Sequence, residues 1–316
     1  MKMVRWLIVC GLGCLTFSSA MAPSEVVRRP RILGIAHVAF YVSDLAKARA
    51  FYKDFLGYDE PFSLQRPDGS DRIAFIKIND QQYLELFAEN PKQPELGRLN
   101  HIAVYVDNAS QMRDYLAARG IKVPDTVAKG KTGNYNFTVT DPDGHGLEFV
   151  EYQHDSQTGR NSGKSMPASR ISDHILHAGI LVDAVEPAMK FYRDLLGFRE
   201  FWRGSADGAQ LSWINLRVPD GDDYVEFMLY QDPPTREQQG VKNHICLVNQ
   251  DVQKAVAKLD LRPARRSYPR TIQVQVGKNR RRQANLFDPD GTRIELMEPA
   301  TTDGQPALPS HAPPPR

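Results

Sequence analysis

The chain has 316 residues, of which 41% are hydrophobic and 25% charged, with a formal net charge of +2. This composition is typical of a soluble globular protein with room for two domains. The small net charge gives no support to nucleic-acid binding, and we expect no nucleic-acid partner.

The first 22 residues have the pattern of a secretory signal peptide. Lys2 and Arg5 precede a short apolar run over residues 6–17, and small residues follow it. The run is too short to span a membrane, so an uncleaved anchor is the weaker alternative. Cys14 follows Gly-Leu-Gly, a poor match to a lipoprotein signal. We therefore expect an exported protein, periplasmic or extracellular, with no membrane span after processing.

The remaining chain contains four related units. Residues 37–58 and 177–198 each read as an alternating strand and a helix of period 3.6, and they end in FYKDFLGY and FYRDLLGF. Stretches beginning at residues 101 and 244 repeat the strand and helix, and each runs on to a turn with the sequence DPDG. Each unit is predicted to consist of a strand, a helix and several short strands, that is, βαβββ.

These repeats divide the chain into two halves. Units 1 and 2 occupy residues 31–152, and units 3 and 4 occupy residues 173–299. Residues 153–172 are polar and rich in Gly and Ser, as in a linker, and the Pro-rich tail 300–316 is expected to be disordered. Cys246 is the one cysteine left after processing, which leaves no partner for an intramolecular disulfide.

Each unit carries a histidine on its first strand and a glutamate on its last. Small residues such as Ala39, Gly179 and Cys246 lie two positions after a histidine, on the same face of the strand. Each histidine and its glutamate are 47 to 51 residues apart, which indicates one repeated structural position. Structural histidines and solvent-facing glutamates are the plainer interpretation, but two imidazoles and two carboxylates on one buried face favour a bound cation. The eight residues are His37, Glu85, His101, Glu148, His177, Glu226, His244 and Glu295.

Four βαβββ units with these side chains resemble the vicinal oxygen chelate superfamily, which includes glyoxalase I, extradiol dioxygenases and bleomycin resistance proteins. The resemblance covers residues 33–299. It implies an α+β fold in which two units pair into a curved mixed-sheet cup, with a divalent metal at the base of the cup. Both pairings found in the family, units 1+2 with 3+4 and units 1+4 with 2+3, give two sites of two His and two Glu.

The ligand pattern is closest to that of bacterial glyoxalase I. The resemblance implies a metal-dependent lyase or isomerase that acts through a metal-chelated enediolate on a small vicinal-oxygen substrate. Glu148 and Glu295 are the expected catalytic bases. The ligands suit Ni, Zn, Co, Mn or Fe(II), and the spacing does not choose among them.

Four further residues are candidates for substrate binding. Tyr41 and Tyr105 follow histidines on the same strand face, and Lys131 and Lys278 belong to basic stretches of units 2 and 4 that would attract an anion. An exported enzyme would meet little glutathione, so the glutathione adduct of methylglyoxal is a doubtful substrate. Monomer and homodimer are both compatible with the sequence.

Two alternatives remain open. An extradiol ring-cleaving dioxygenase would use His177, His244 and Glu295 as an iron site. The residues before the last turn, RRRQANLF, hold neither the Tyr nor the His of such enzymes, and His145 lies within a turn. The second alternative is a protein that binds a small molecule, as resistance proteins do.

Overall fold

The computed structural model describes residues 27–91 and 97–315. The predicted signal peptide therefore lies outside the described residues. No helix within the described ranges is long and apolar enough to cross a membrane.

The first half forms one sheet of eight strands in the order β2-β3-β4-β1-β5-β8-β7-β6. Its strands are β1 Ile32–Tyr41, β2 Asp59–Gln65, β3 Asp71–Lys77, β4 Tyr83–Phe87, β5 Leu99–Val106, β6 Ala128–Lys129, β7 Tyr135–Thr140 and β8 Gly146–Glu151.

The second half repeats this topology, in the order β10-β11-β12-β9-β13-β16-β15-β14. Its strands are β9 Ile175–Val182, β10 Arg199–Gly204, β11 Trp213–Arg217, β12 Tyr224–Leu229, β13 His244–Val248, β14 Val274–Val276, β15 Arg281–Phe287 and β16 Arg293–Thr301. The predicted α+β class is confirmed. In each sheet two consecutive units meet at their first strands, so the structure pairs unit 1 with 2 and unit 3 with 4.

Helices pack against the core face of each sheet, and one further short helix lies in the linker. They are α1 Leu45–Arg49, α2 Ala109–Ala117, α3 Gln157–Arg160, α4 Val185–Met189, α5 Arg236–Lys242 and α6 Val252–Asp260. Side chains cap several of them: Asp44, Asn108 and Asp251 each accept a hydrogen bond from a backbone N–H of the first turn. The predicted helix of unit 1 differs from expectation, because α1 widens into a π-helical turn over Ala50–Phe55. The wider turn buries Phe51, Tyr52 and Phe55 together.

One large apolar cluster lies under both sheets. Alternate residues of β1, including Val38 and Phe40, point into it, as the strand alternation predicts. Tyr52 of the first half and Tyr192 of the second belong to the same cluster. The two halves therefore share a core, and the opposite faces of the sheets are left for the sites.

The repeated DPDG turns tie each half to the other. In the first turn Asp141 accepts hydrogen bonds from the backbone of Asp143 and from the Tyr192 hydroxyl of the other half. Asp143 itself accepts the N–H of Asp183 at 2.9 Å. The turn of the second half makes the reciprocal contacts: Asp288 accepts the Tyr52 hydroxyl at 3.2 Å, and Asp290 accepts the N–H of Ser43 at 2.8 Å.

The linker and the tail are both held by hydrogen bonds. Lys77 is buried, and its ammonium group donates to Asp80 and to the carbonyl oxygens of Asn161 and Lys164 in the linker. The sequence predicts a disordered tail, but the structure places residues 302–315 along the second half. The N–H of Ser310 donates to the carbonyl of Arg203 at 2.9 Å, which extends the edge of β10.

Candidate metal centres

Strand register brings four predicted residues of the first half together. Ala39 pairs with Glu85 on one side and with His101 on the other. Ala103 pairs with His37 and with Glu148 in the same way. Because the residues at these crossing points are small, the four functional side chains can converge above them. We call this group centre 1.

The donor atoms of His37, Glu85 and His101 in centre 1 are close enough to surround one ion, and Glu148 lies beside the two histidines. The Nε2 atoms of His37 and His101 are 2.9 Å apart, and a Glu148 oxygen lies 3.2 Å from His101 Nε2 and 3.8 Å from His37 Nε2. A Glu85 oxygen lies 3.4 Å from His37 Nε2. Ligand atoms about 2.1 Å from one cation lie about 3.0 to 3.4 Å from each other.

The surroundings of centre 1 orient its ligands. Asn100 Oδ1 lies 2.9 Å from His101 Nδ1, so a proton on Nδ1 is accepted there and Nε2 keeps its lone pair for the centre. Burial raises the pKa of Glu85. Burial alone would also raise the pKa of Glu148, but the neighbouring imidazoles of His101 and His37 hold it well below its usual range. Centre 1 thus contains two carboxylates whose environments drive their proton affinities apart.

A cavity of about 220 Å³ opens above centre 1. Lys131 and Arg72 supply positive charge to its wall, and Phe75 and Tyr83 supply apolar surface. Tyr152, which the sequence analysis did not select, also lines it and donates a hydrogen bond to the carbonyl of Gln81 at 2.6 Å. The sequence signal that could have identified Tyr152 is its position four residues after Glu148, just past the end of the same strand.

The same register builds centre 2 in the second half. Gly179 pairs with Glu226 and His244, and Cys246 pairs with His177 and Glu295. The two Nε2 atoms are 3.1 Å apart. Each glutamate has an oxygen 3.5 to 3.7 Å from both of them. All four donor atoms lie within 4.8 Å of one another, a closer set than in centre 1, where this holds for His37, Glu85 and His101.

Centre 2 also contains a residue that has no counterpart in centre 1. The guanidinium nitrogen Nη2 of Arg293 lies 2.7 Å from Nε2 and 2.9 Å from Nδ1 of His244. Burial and then this charge lower the pKa of His244 to about 3. The sequence analysis missed Arg293, although aligning GHGLEF with GTRIEL places it opposite Gly146.

The cavity above centre 2 is larger, about 540 Å³. Trp202 and Trp213 form an aromatic wall, and Lys278 and Asn285 line the cavity with Arg293. The indole N–H of Trp202 and the side-chain oxygen of Asn285 have no hydrogen-bond partner among the described residues. The second cavity therefore offers polar groups that a ligand can satisfy.

The four predicted substrate-binding residues are placed differently. Lys131 lines the first cavity and Lys278 the second. Tyr41 and Tyr105 are not among the described residues that line either cavity: Tyr41 packs edge-on against Phe87, and Tyr105 packs against Tyr152. Tyr41 keeps the strand face of Ala39, because β1 stays in register with β4 through the pair Tyr41 and Phe87, but Phe87 rather than Tyr41 lines the first cavity.

His145 takes no part in either centre. It is buried in its turn, where its Nδ1 lies 3.0 Å from an oxygen of Asp141. The acid-base histidine that the dioxygenase alternative requires is therefore not supplied by this residue.

Comparison with known proteins agrees with this architecture. The profile of the Glyoxalase/Bleomycin resistance protein/Dioxygenase superfamily matches residues 34–149 and 174–296, one match in each half. The chain belongs to this superfamily. Its members are typically metal-dependent enzymes.

Curated relatives match about one half of the chain. The uncharacterised protein YaeR of Escherichia coli is 30% identical over 123 residues, which cover 37% of this chain and 95% of YaeR. A lactoylglutathione lyase of Neisseria meningitidis is 29% identical over 123 residues, covering 37% of this chain and 89% of the lyase.

Solved structures match both halves at once. The 2,3-dioxygenase LapB of Pseudomonas sp. KL28 superposes with a TM-score of 0.62 at 17% identity, over 88% of this chain and 97% of LapB. The Mn(II)-bound glyoxalase of Novosphingobium aromaticivorans superposes with a TM-score of 0.60 at 19% identity, over 85% of this chain and 83% of that chain. At these identities the likeness establishes the shared fold.

Proposed function

We propose that this chain is an exported, divalent-metal-dependent lyase or isomerase of the glyoxalase I type, with centre 1 as its active site. The observation that carries the proposal is the convergence of His37, His101 and Glu85 within 4.8 Å of one another, with a Glu148 oxygen 3.2 Å from His101 Nε2. Four such side chains on one buried face would be costly without a positive charge between them. These four residues would hold the metal.

A bound divalent cation would polarise two neighbouring oxygens of a substrate and make a C–H bond beside the carbonyl more acidic. Glu148 would take and return that proton. It lies within 4 Å of both histidine Nε2 atoms, at the side of the centre next to Ala103.

The first cavity suits a small, negatively charged substrate. Its volume of about 220 Å³ is below the range of about 300 to 1,000 Å³ typical of pockets for drug-sized ligands. Lys131 and Arg72 place positive charge in its wall. A molecule of a few carbon atoms with adjacent oxygens and one anionic group fits these properties.

The test begins with metal content. Mature protein treated with a chelator and then reconstituted with Ni, Zn, Co, Mn or Fe(II) should bind metal, and less than about a tenth of an equivalent with all five would refute the proposal. The loaded protein is then assayed with methylglyoxal, with and without glutathione, and with catechols while oxygen uptake is recorded. Isomerisation without oxygen uptake is expected, whereas oxygen uptake with ring cleavage would establish the dioxygenase alternative.

Export is the second part of the proposal and is supported by the pattern of residues 1–22. Mass spectrometry of the protein isolated from cell fractions should find an N-terminus near residue 23 outside the cytoplasm. Intact protein beginning at Met1 or Lys2 in the cytosol would contradict export, while the assignment of centre 1 would stand.

A further inference from the structure

The two centres differ in the residue beside their second histidine, which is His101 in centre 1 and His244 in centre 2. In the first half β5 pairs with β8 so that His101 lies opposite Gly146. In the second half Ile245 pairs with Ile294, which places Arg293 beside His244 in the same register. The ligand residues are therefore the same in both halves, and the residue over the second histidine is glycine in one half and arginine in the other.

Arg293 places a positive charge beside the His244 nitrogen that a metal would need as a ligand. His244 Nδ1 lies 2.7 Å from the carbonyl oxygen of Lys242, so Nδ1 carries the proton and donates it there. Nε2 then holds the free lone pair, and Arg293 Nη2 lies 2.7 Å from it. Nη2 also lies 2.9 Å from Nδ1 and is thus almost equidistant from the two ring nitrogens, so the guanidinium lies against the face of the ring, and its permanent positive charge is next to any cation that Nε2 would bind.

The surrounding residues support this placement of the guanidinium. Gly179 lies beneath the His244 ring, and a Cβ there would come within 2.0 Å of the ring. The absence of that Cβ lets the ring lie close against β9, with space for the arginine beside it. The positive charge of Arg293 also partly balances Glu226 and Glu295, both of which are buried.

We propose that Arg293 closes centre 2 to divalent cations, so that the chain carries one working metal site, at centre 1. The close convergence of the four donor atoms in centre 2 does not oppose this, because a permanent positive charge 2.7 Å from Nε2 opposes the entry of a dication there. The proposal rests on the proposed function in one respect, namely that centre 1 binds a metal.

Metal stoichiometry tests the proposal without any assay of activity. Chelator-treated mature protein is titrated with Mn²⁺ by calorimetry, and bound metal is counted by elemental analysis after desalting. Wild type should bind about one equivalent, with any second equivalent at least about 100-fold weaker, because a fixed charge opposes the dication. Arg293→Gly should bind about two equivalents, since it gives centre 2 the residue found in centre 1.

Three variants separate the charge of the guanidinium from its bulk and its position. Arg293→Met keeps bulk and removes charge, and it should also gain a second equivalent if the charge is what excludes the cation. Arg282→Gly removes an arginine of the neighbouring strand that pairs with Glu298, and it should stay at the wild-type value. Gly146→Arg places the guanidinium in centre 1 and should abolish binding. Thermal unfolding of each variant identifies any that fails to fold.

Single ligand substitutions assign the sites. His101→Ala should remove the wild-type equivalent, and His244→Ala should leave it in place. Two equivalents of similar affinity in wild type, no gain in either Arg293 variant, or loss of the wild-type equivalent in His244→Ala would overturn the proposal. An absence of metal from wild type and from every variant would instead refute the proposed function.

Discussion

The two halves of this chain share topology, register and the same set of two histidines and two glutamates, yet their centres are not equivalent. Centre 1 has Gly146 over its second histidine, a cavity of about 220 Å³ and a basic wall. Centre 2 has Arg293 over the corresponding histidine and a larger cavity with two tryptophans. The two centres therefore have the same ligand residues but different electrostatic environments. One residue outside the ligand set, glycine or arginine, decides whether a buried group of two imidazoles and two carboxylates still requires a cation.

The largest expected effect compares the two predicted bases. Glu148→Gln should lower turnover by at least about 100-fold while metal remains bound, because Gln can offer an oxygen but cannot accept a proton. Glu295→Gln should change turnover by less than about threefold, because centre 2 does not perform the reaction. Steady-state kinetics on the substrate found in the assays above, with metal content measured in parallel, give both values.

Glu85→Gln is the matched control within centre 1. It removes a carboxylate from the same ligand set, and it should weaken metal binding more than it slows the metal-saturated enzyme. Equal losses of turnover in the Glu148 and Glu295 variants would show that both centres work, and full turnover in both would leave the glutamates as ligands only.

A second difference between the halves lies at the end of the third strand of each. Lys77 is fully buried and donates to a carboxylate and two linker carbonyls, whereas the equivalent Arg217 is part-exposed and lies 3.9 Å from Asp222. Lys77→Met should lower the free energy of unfolding by about 3 kcal/mol, because it removes three hydrogen bonds of a buried ammonium group, one of them to a carboxylate. Arg217→Met should cost less than about 1 kcal/mol, as exposed ion pairs do.

Urea unfolding followed by circular dichroism measures both changes. A Lys77→Met variant as stable as wild type would mean that water reaches the linker carbonyls and that the lysine does not fasten the linker.

Metal binding should increase the free energy of unfolding, and the effect should depend on the ligands of centre 1 in the first half. At a free Mn²⁺ concentration of about 100 times the dissociation constant, the native state gains about 2.7 kcal/mol, which corresponds to a rise in Tm of about 5 to 10 °C. His101→Ala should abolish the rise, and His244→Ala should keep it. A rise that survives in His101→Ala and disappears in His244→Ala would assign the metal to the other half.

Much of this architecture follows from the sequence because its signals are periodic. Strand alternation and a constant histidine-to-glutamate separation predict the α+β units and the eight side chains that the structure brings together in two groups. The small residues beside each histidine indicate the space above the strands, and the pairs Ala39/Ala103 and Gly179/Cys246 occupy those positions. Local patterns of this kind survive folding because they record which face of a strand each residue occupies.

The remaining features depend on contacts between distant segments. The pairing of unit 1 with unit 2 is decided by which first strands meet, and both pairings leave the same local pattern. The contact of Asp290 with Ser43 and that of Asp143 with Asp183 join residues from different halves. Arg293 follows the turn as an ordinary polar strand residue, and only the folded structure, in which it lies 2.7 Å from Nε2 of His244, shows that it enters the centre.

The smallest expected effect compares the first aspartates of the two DPDG turns and depends on pH. Burial raises the pKa of Asp288 from 3.8 to about 6, so the folded state binds this proton more tightly than the unfolded state does. Ionisation of Asp288 as the pH rises between these values therefore costs stability, and the cost is fully present above pH 6. At pH 7.5 Asp288→Asn should increase the free energy of unfolding by about 1 to 2 kcal/mol relative to wild type, and the gain should vanish near pH 4.

Asp141→Asn should instead destabilise the protein at pH 7.5. One oxygen of the Asp141 carboxylate has two partners, the Tyr192 hydroxyl and His145 Nδ1 at 3.0 Å. An amide nitrogen in place of that oxygen cannot accept a hydrogen bond from either of them. Urea unfolding at the two pH values measures these changes, and a gain at Asp288 that is the same at both would show that its ionisation is not responsible.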